Sequence, residues 1–284
     1  MSVRGPAVGL RAPIVIAVLA AAVTTGCTMF SPADLSLAVN TARPVLPPLK
    51  PPSDAIQLQI VFVERPSDDA LLNQLVWQQV DQVGALAPES RVMLDDHGFR
   101  VGQCGAHPPP AVQTLLGLSE ELVDEPLSGE HLMRGRRLGL RSGQDTEVQT
   151  VDYRRDCQIR YLTAGQEEVV DYSQARCVLR LRPVRVQDGW VRIDVTPEVH
   201  HGAALMRHTP TEEGWTLKGG QKIDVRQALK FSVTLSTGEL ALISGDPGRE
   251  RSPGREFFCQ EHPDGRRTQR LLAVRLAGAG TEGP

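Results

Sequence analysis

The stretch that decides the fold reads CVLRLRPVRVQDGWVRIDV and runs from Cys177 to Val195. Apolar and polar residues alternate on both sides of Asp188-Gly189, and strict alternation is typical of strands that bury one face. An Asp-Gly pair between two such runs predicts a tight hairpin turn. The sequence therefore predicts an antiparallel strand pair at the centre of the fold.

A second pattern, FSVTLSTGELALISG from Phe231 to Gly245, predicts another hairpin. Its first half alternates in the same way, and Thr237-Gly238 supplies the turn residues. The returning run Leu240–Ile243 is apolar on both faces, as expected of a strand inside a sheet rather than at its edge.

The remaining patterns extend this β-rich plan and add helices near its start. Apolar residues at helical spacing predict a helix over Asp69–Val83, and a short helix is expected at Val112–Leu116. Strand patterns occupy Ile56–Val63, Arg91–Leu94 with Phe99–Val101, an irregular or edge segment Ser128–Asp145, Val151–Leu162, Val169–Tyr172, and a closing hairpin of Phe257–Cys259 with Leu271–Leu276. The predicted fold class is α+β, mainly antiparallel β-sheet with one or two helices packed on the N-terminal part.

Residues 1–27 have the pattern of an export signal rather than of a folded element. Arg4 and Arg11 give a positive segment that precedes an apolar run, Ile14–Val23, which is too short to span a bilayer and suits a signal peptide. The Thr-Thr-Gly-Cys sequence that ends at Cys27 resembles the lipobox of bacterial lipoproteins. This resemblance implies that Cys27 is lipidated and becomes the mature N-terminus. An ordinary secretory signal, cleaved nearby, is the alternative.

The location of the protein follows from this reading of Cys27. Thr28, in place of Asp, is similar to the residue that lets enteric lipoproteins proceed to the outer membrane. We therefore expect a cell-envelope protein, lipid-anchored and facing the periplasm, with the outer membrane favoured over the inner. Prolines recur through residues 28–54, which predicts an extended tether between the anchor and the folded part.

Composition restricts the classes of partner. The formal net charge is −3 and no basic run stands out, which argues against nucleic acid. Beyond the tether we predict an N-terminal α+β region (55–145), a C-terminal β-rich region (146–278) and a disordered tail (279–284). The expected partners are the membrane, through Cys27, and either another envelope protein or a second copy of the chain.

Four cysteines follow Cys27, at Cys104, Cys157, Cys177 and Cys259. An even number in an exported chain is compatible with a pair of disulfides. Cys157 and Cys177 lie in neighbouring strand patterns, which favours that pairing, and buried thiols are the alternative. The wide spacing does not match a zinc motif.

The central stretch resembles the β-core of bacterial secretins, the outer-membrane gate proteins of type II and III secretion. Similar elements are a strand pair ending in Pro-Glu at Val191–Val199, a strand with a Gly-Glu turn and apolar return at Phe231–Gly245, and the opening strand Ile56–Glu64. The resemblance implies a structural or protein-interaction role in the envelope. A ring-forming subunit of a secretion or pilus machine is the alternative within the same class.

One cluster of residues suggests a metal site and hence an enzyme. Glu198 precedes the pair His200-His201, and His208 follows. Adjacent residues of an extended segment point to opposite sides, so only one of the paired histidines can join the other two residues. Glu198, His200 and His208 are thus the candidate ligands of a metal-dependent periplasmic hydrolase. The alternative is a polar loop that follows a strand.

Other catalytic signatures are missing from the sequence. His-Glu-x-x-His and Gly-x-Ser-x-Gly do not occur, and no phosphate-binding loop is present. The sequence therefore predicts a non-catalytic protein without a cofactor, and metal-dependent hydrolysis remains as the second class of function.

Overall fold

A computed structural model of the chain describes residues 55–118, 132–163, 165–211 and 214–280. Cys27, the predicted leader and the tether of residues 28–54 lie outside these ranges, as does the end of the predicted tail. The described chain is mainly antiparallel β-sheet with a few helices, one of them near the N-terminal region. This confirms the predicted α+β fold class.

Strands occupy most of the described chain. They are β1 (Ile56–Pro66), β2 (Phe99–Cys104), β3 (Leu132–Leu140), β4 (Thr146–Gln149), β5 (Arg154–Thr163), β6 (Gln166–Gln187), β7 (Trp190–Thr211), β8 (Gly214–Val225), β9 (Phe231–Ser236), β10 (Leu240–Gly245), β11 (Cys259–Glu261) and β12 (Arg267–Ala279). The helices are α1, made of a π-helical turn (Leu71–Leu75) and an α-helical turn (Val76–Gln79), α2 (Pro88–Asp96), α3 (Pro110–Leu115) and α4 (Pro253–Phe258), with a 3-10 turn at Gln227–Leu229.

Within the described ranges these strands form two six-stranded antiparallel sheets. The first sheet has the order β2-β10-β12-β1-β3, with β11 beside β12. The second has the order β4-β6-β7-β8, with β5 beside β6 and β9 beside β7. The first sheet takes strands from both sides of residue 145, so the predicted N-terminal and C-terminal regions share it.

The main core lies between the two sheets. Apolar residues from alternate positions of both sheets meet there and are almost completely buried, among them Ile56, Leu58, Ile60, Leu179, Leu181, Ile193, Val233 and Leu272. A second cluster covers the other face of the first sheet, where α1 and α3 pack on β1, β10 and β12 through Leu72, Trp77, Val112, Leu115, Val63, Leu242 and Leu271. The prediction of helices packed on the N-terminal part is thus confirmed.

The predicted central hairpin is confirmed as β6 and β7. The two strands are 22 residues each, and Leu181 pairs with Val195 in their register. Gly189 in the turn has a φ of +75°, a conformation that glycine adopts at little cost. This hairpin is the longest feature of the second sheet and organises the strands around it.

The second predicted hairpin is wrong, because its two strands belong to different sheets. β9 pairs with β7 in the second sheet, whereas β10 lies between β2 and β12 in the first. The turn at Thr237-Gly238 therefore carries the chain from one sheet to the other, with a φ of +94° at Gly238. β10 is buried along its whole length, as predicted for a strand inside a sheet.

The first helix is shorter than the predicted Asp69–Val83. It stops at Gln79, because Val80 is extended and Asp81 forms a β-bridge to Gln103 of β2. The Asp81 carboxylate then accepts hydrogen bonds from the Val83 and Gly84 N–H groups, which stabilise a turn. A tertiary contact thus overrides the helical pattern.

Two segments predicted as strands are helical. Arg91–Leu94 lies in α2, where Pro88 occupies the start, Glu89 adds favourable charge to the first turn, and Gly98 follows the end with a φ of +74°. Phe257 and Phe258 lie in α4, whose N-cap Ser252 accepts from the Arg255 N–H group. Only Cys259 of that predicted strand enters β11, which forms a hairpin with residues 267–269 of β12 and not with the predicted Leu271–Leu276.

Candidate functional site

The outer face of the second sheet carries the residues singled out in the sequence. In β6 and β7 every second side chain points into the core, so the intervening ones point away from it. Glu198 and His200 are two positions apart in β7 and therefore share this outer face. Arg180 of β6 lies on the same face and reaches them. We call these three residues the Glu198 cluster.

The carboxylate of Glu198 is the centre of this cluster. Arg180 Nη2 donates to its Oε2 at 3.0 Å, and Arg180 Nε lies 2.9 Å from Oε1. His200 Nε2 lies 3.0 Å from Glu198 Oε2. The side chains of Glu198 and His200 are only 2% and 5% exposed. A buried carboxylate needs such partners, since an unpaired one would carry a large desolvation penalty.

His200 has a polar neighbour at each ring nitrogen. Arg176 Nη2, which can only donate, lies 3.5 Å from Nδ1. Glu198 Oε2 lies 3.0 Å from Nε2. Both ring nitrogens are therefore engaged within the protein.

The structure adds Glu147 to this cluster and removes His208 from it. One ligand atom each from Glu147, Glu198 and His200 lies within 4.8 Å of the others. His208 lies eight residues beyond His200 on β7, where it pairs with Leu217 of β8. Eight residues of a strand span roughly 26 Å at about 3.3 Å per residue. Of the predicted ligand set Glu198, His200 and His208, the structure therefore brings together only Glu198 and His200, because a length of strand separates His208 from both.

The remaining three groups do not fit a metal ion. Arg180 already engages Glu198, and both nitrogens of His200 are used in the hydrogen bonds described above. The Glu147 side chain is about half exposed and lies 3.8 Å from Arg180 Nη2. A cation here would have to displace a guanidinium, so the cluster works chemically as a buried ion pair braced by an imidazole.

The prediction of a polar loop after the Glu198 strand is also wrong. β7 continues to Thr211 and pairs with β8 from Glu198 to His201 and, after an irregularity, from Leu205 to Thr211. Beyond Gly202 β7 pairs with β8 alone, and before Gln174 β6 pairs with β5 alone, so two strand ribbons diverge from the sheet. Both divergence points have positive φ, +53° at Gln174 and +77° at Gly202.

Gln221 joins the two divergence points. Its Nε2 donates to the carbonyl oxygens of Gln174 and Gly202 at 2.6 and 2.8 Å. Its Oε1 accepts from Arg176 Nε at 2.8 Å. Gln221 therefore links the two ribbons, β5–β6 and β7–β8, at the point where they leave the sheet.

The four cysteines are buried free thiols, so the predicted disulfides are not formed. Cys157 of β5 pairs with Tyr172 of β6, and Tyr172 lies five residues before Cys177 on the same strand. This offset along β6 is too large for the Cα separation of about 4.4–6.8 Å that a disulfide between Cys157 and Cys177 needs. Burial raises the pKa of Cys104 to about 11 and the pKa values of Cys157 and Cys259 to about 12. The thiols are therefore protonated at neutral pH and are poor nucleophiles.

The sequence reasoning missed a second polar network at the base of the ribbons. Tyr172 donates to Asp224 Oδ2 at 2.5 Å, and Arg226 Nη2 donates to the same carboxylate at 3.0 Å. The Arg226 guanidinium lies 3.9 Å above the ring of Tyr161. These residues come from β5, β6 and the end of β8, and nothing in their sequence spacing indicates that they meet.

The fold and this site define a class of protein but no family. The chain is an α+β protein, mainly antiparallel, whose candidate site is an internally paired charge cluster on a sheet face. No model of a known protein family matches the chain, and no curated protein matches it in sequence. Among the described helices none is both long and apolar enough to cross a membrane.

Proposed function

We propose that this chain is a membrane-anchored envelope lipoprotein with a non-catalytic, protein-interaction role. One observation carries the non-catalytic part of the proposal. The carboxylate and imidazole that the sequence offered as metal ligands are saturated by Arg180, Arg176 and each other. Chemistry at this cluster would require breaking a buried ion pair, whereas strand edges and ribbons offer accessible surfaces for a partner.

The envelope location rests on the sequence of the leader. The apolar run Ile14–Val23 and the lipobox-like Cys27 support export and lipidation, and Thr28 favours the outer membrane. One acyl chain gives only marginal membrane binding, so a durable anchor needs more than one chain on the cysteine. The tether of residues 28–54 would hold the folded part away from the bilayer.

Substitution of Cys27 tests this proposal. We expect the wild-type chain in the membrane fraction, extractable only with detergent, with an acylated Cys27 as its first residue by mass spectrometry. Cys27→Ser should appear in the soluble periplasmic fraction or retain its leader. A wild-type protein that is soluble, or a variant that stays membrane-bound with a cleaved leader, would overturn the anchor.

The ribbons favour a second candidate, a ring-forming subunit similar to secretins. Each ribbon offers open strand edges in the described ranges, and Leu205 and Met206 of β7 are 54% and 63% exposed. Open edges are templates for pairing with another chain. A ring built in this way predicts a large oligomer that resists detergent and heat, whereas the interaction role predicts a monomer or dimer.

A further inference from the structure

β3 is an edge strand with cavities on both of its faces. In the described part of the chain it pairs with β1 alone, in a register that sets Gly135 opposite Val61 and Arg136 opposite Ile60. Side chains at alternate positions of β3 therefore point to opposite faces of the first sheet. The even-numbered positions face the interior between the sheets, and the odd-numbered ones face the side covered by α1 and α3.

Arginines line the cavity on the interior-facing side. Arg134 and Arg136, with Phe62 and Val148, border an open cavity of ≈ 420 Å³ at the edge of the space between the sheets. The carboxylates of this cavity already have partners, because Glu64 and Asp152 pair with Arg270 and Glu147 lies nearest Arg180. Arg136 Nη2 donates to the backbone carbonyl oxygen of Glu147 at 2.9 Å, and Arg134 interacts electrostatically with Asp152. Among the described residues neither guanidinium forms a salt bridge, so both keep their charge at the mouth of the cavity.

The groove on the opposite side is mainly apolar. Met133 and Gly135 of β3 border it with Val61, Leu116 and Leu118, and its volume is ≈ 370 Å³. Met133 and Leu118 are each 56% exposed. The absence of a side chain at Gly135 leaves the floor of the groove open, since an added Cβ there would only reach ordinary contact distance from Val61.

We propose that β3 is a docking strand for an extended segment of a partner protein in which acidic and apolar residues alternate. Such a segment, added beside β3, would place every second side chain against Arg134 and Arg136 and the others in the apolar groove. Main-chain hydrogen bonds supply affinity in this mode of recognition, and alternate side-chain sites supply specificity. This inference rests on the proposed interaction role and names the chemistry of the partner.

Charge selects this occupant over a second copy of β3. Arginine on an edge strand discourages pairing with another identical edge, because like charges would lie opposite each other. Protection from aggregation alone would explain the arginines, but it does not explain an exposed methionine beside an open apolar groove on the other face. Both features follow from a partner that is acidic on one face and apolar on the other.

Fluorescence anisotropy with the full-length protein in detergent micelles tests the proposal. The probe is a labelled peptide of alternating glutamate and valine with the nine-residue length of β3. One control peptide has the same composition, with glutamate and valine in separate blocks. The other alternates lysine and valine. We expect the alternating peptide to bind at low salt, at least about tenfold more tightly than either control, and to weaken as salt increases.

Matched variants locate the site. Arg134→Glu/Arg136→Glu should weaken binding by at least about tenfold, since two charge-assisted contacts become repulsive. Met133→Glu should also weaken peptide binding, because it puts a charge in the apolar groove on the opposite face of β3. Arg155→Glu/Lys230→Glu changes the same charge at exposed positions, in β5 and just before β9, and should leave binding within about twofold of wild type.

Several results would overturn the proposal. Equal binding of the block or lysine peptide would remove the alternating-segment specificity, and unchanged binding by the Arg134/Arg136 variant would place the site elsewhere. Salt-sensitive self-association lost in that variant, without peptide binding, would make a second copy the occupant. The Cys27 fractionation result is independent of all these outcomes, so failure here and failure of the proposed anchor are distinguishable.

Discussion

The imidazole of His200 and the carboxylate of Glu198 share a 3.0 Å hydrogen bond on the outer face of the second sheet, and both side chains are almost completely buried. Their spacing of two residues on β7 puts them side by side, and Arg180 from β6 completes the pairing. An arrangement of this kind stabilises one strand register. Its loss leaves a buried or half-buried charge without a partner.

We expect Glu198→Gln to lower the free energy of unfolding by about 2–4 kcal/mol, because Arg180 would lose its closest counter-charge while remaining partly buried. Urea denaturation monitored by circular dichroism measures this change. Glu167→Gln is a matched control, since Glu167 is 58% exposed and pairs with Arg160 at the surface, where a pair contributes at most about 1 kcal/mol. Equal effects of the two substitutions would contradict the structural role of the cluster.

We expect zinc to leave the melting temperature of the wild-type protein unchanged, because Arg180 and Arg176 occupy the groups that would bind it. Differential scanning fluorimetry with and without zinc measures this directly. His200→Ala and His208→Ala provide the comparison, as only the former belongs to the cluster. A zinc-dependent stabilisation that His200→Ala abolishes would restore the metal-dependent hydrolase as the leading function.

We expect Gln221→Ala to loosen the base of the two ribbons and to lower stability by about 1–2 kcal/mol, because two carbonyl oxygens lose their donor. Hydrogen exchange should accelerate in β5, β8 and the outer halves of β6 and β7, while β1 and β12 keep their protection. Gln158→Ala removes an exposed hydrogen bond to Asp171 within one ribbon and is the control. Uniform acceleration throughout both sheets would contradict a local clamp.

We expect the stability of the protein to fall as pH rises above about 9, the pKa of an unfolded thiol. The folded pKa of Cys157 and of Cys259 is raised to about 12 from 9.0, so the unfolded state releases these protons first. Stability is therefore complete below pH 9 and declines towards pH 12. In urea titrations Cys157→Ala/Cys259→Ala should show a shallower decline, and an identical slope would mean that the thiols are not buried in solution.

Local patterns predicted those parts of the fold whose pairing is local. The β6–β7 hairpin has alternation on both arms and glycine at the turn, so one short stretch contains all the information it needs. The β9–β10 prediction failed because Thr237-Gly238 looks like a hairpin turn in sequence, while the apolar faces of Leu240–Ile243 find β2 and β12 instead. Only distant segments decide that pairing.

The same distinction applies to the candidate site. The alternation of side chains along a strand correctly predicted that Glu198 and His200 share one face and that His201 points to the other. His208 does not join them, because the chain continues as a strand from His200 to His208 instead of folding back. Arg180 and Glu147 could not be assigned to the cluster from sequence, since they reach Glu198 through the register of β4, β6 and β7.

The most direct test of an anchored, non-catalytic interaction protein is the native mass of the detergent-solubilised mature protein. Light scattering gives this mass, and metal content can be determined on the same sample. We expect a monomer or dimer without stoichiometric metal. A large closed ring would instead support the secretin-like assembly, and a stoichiometric metal ion would contradict the non-catalytic role.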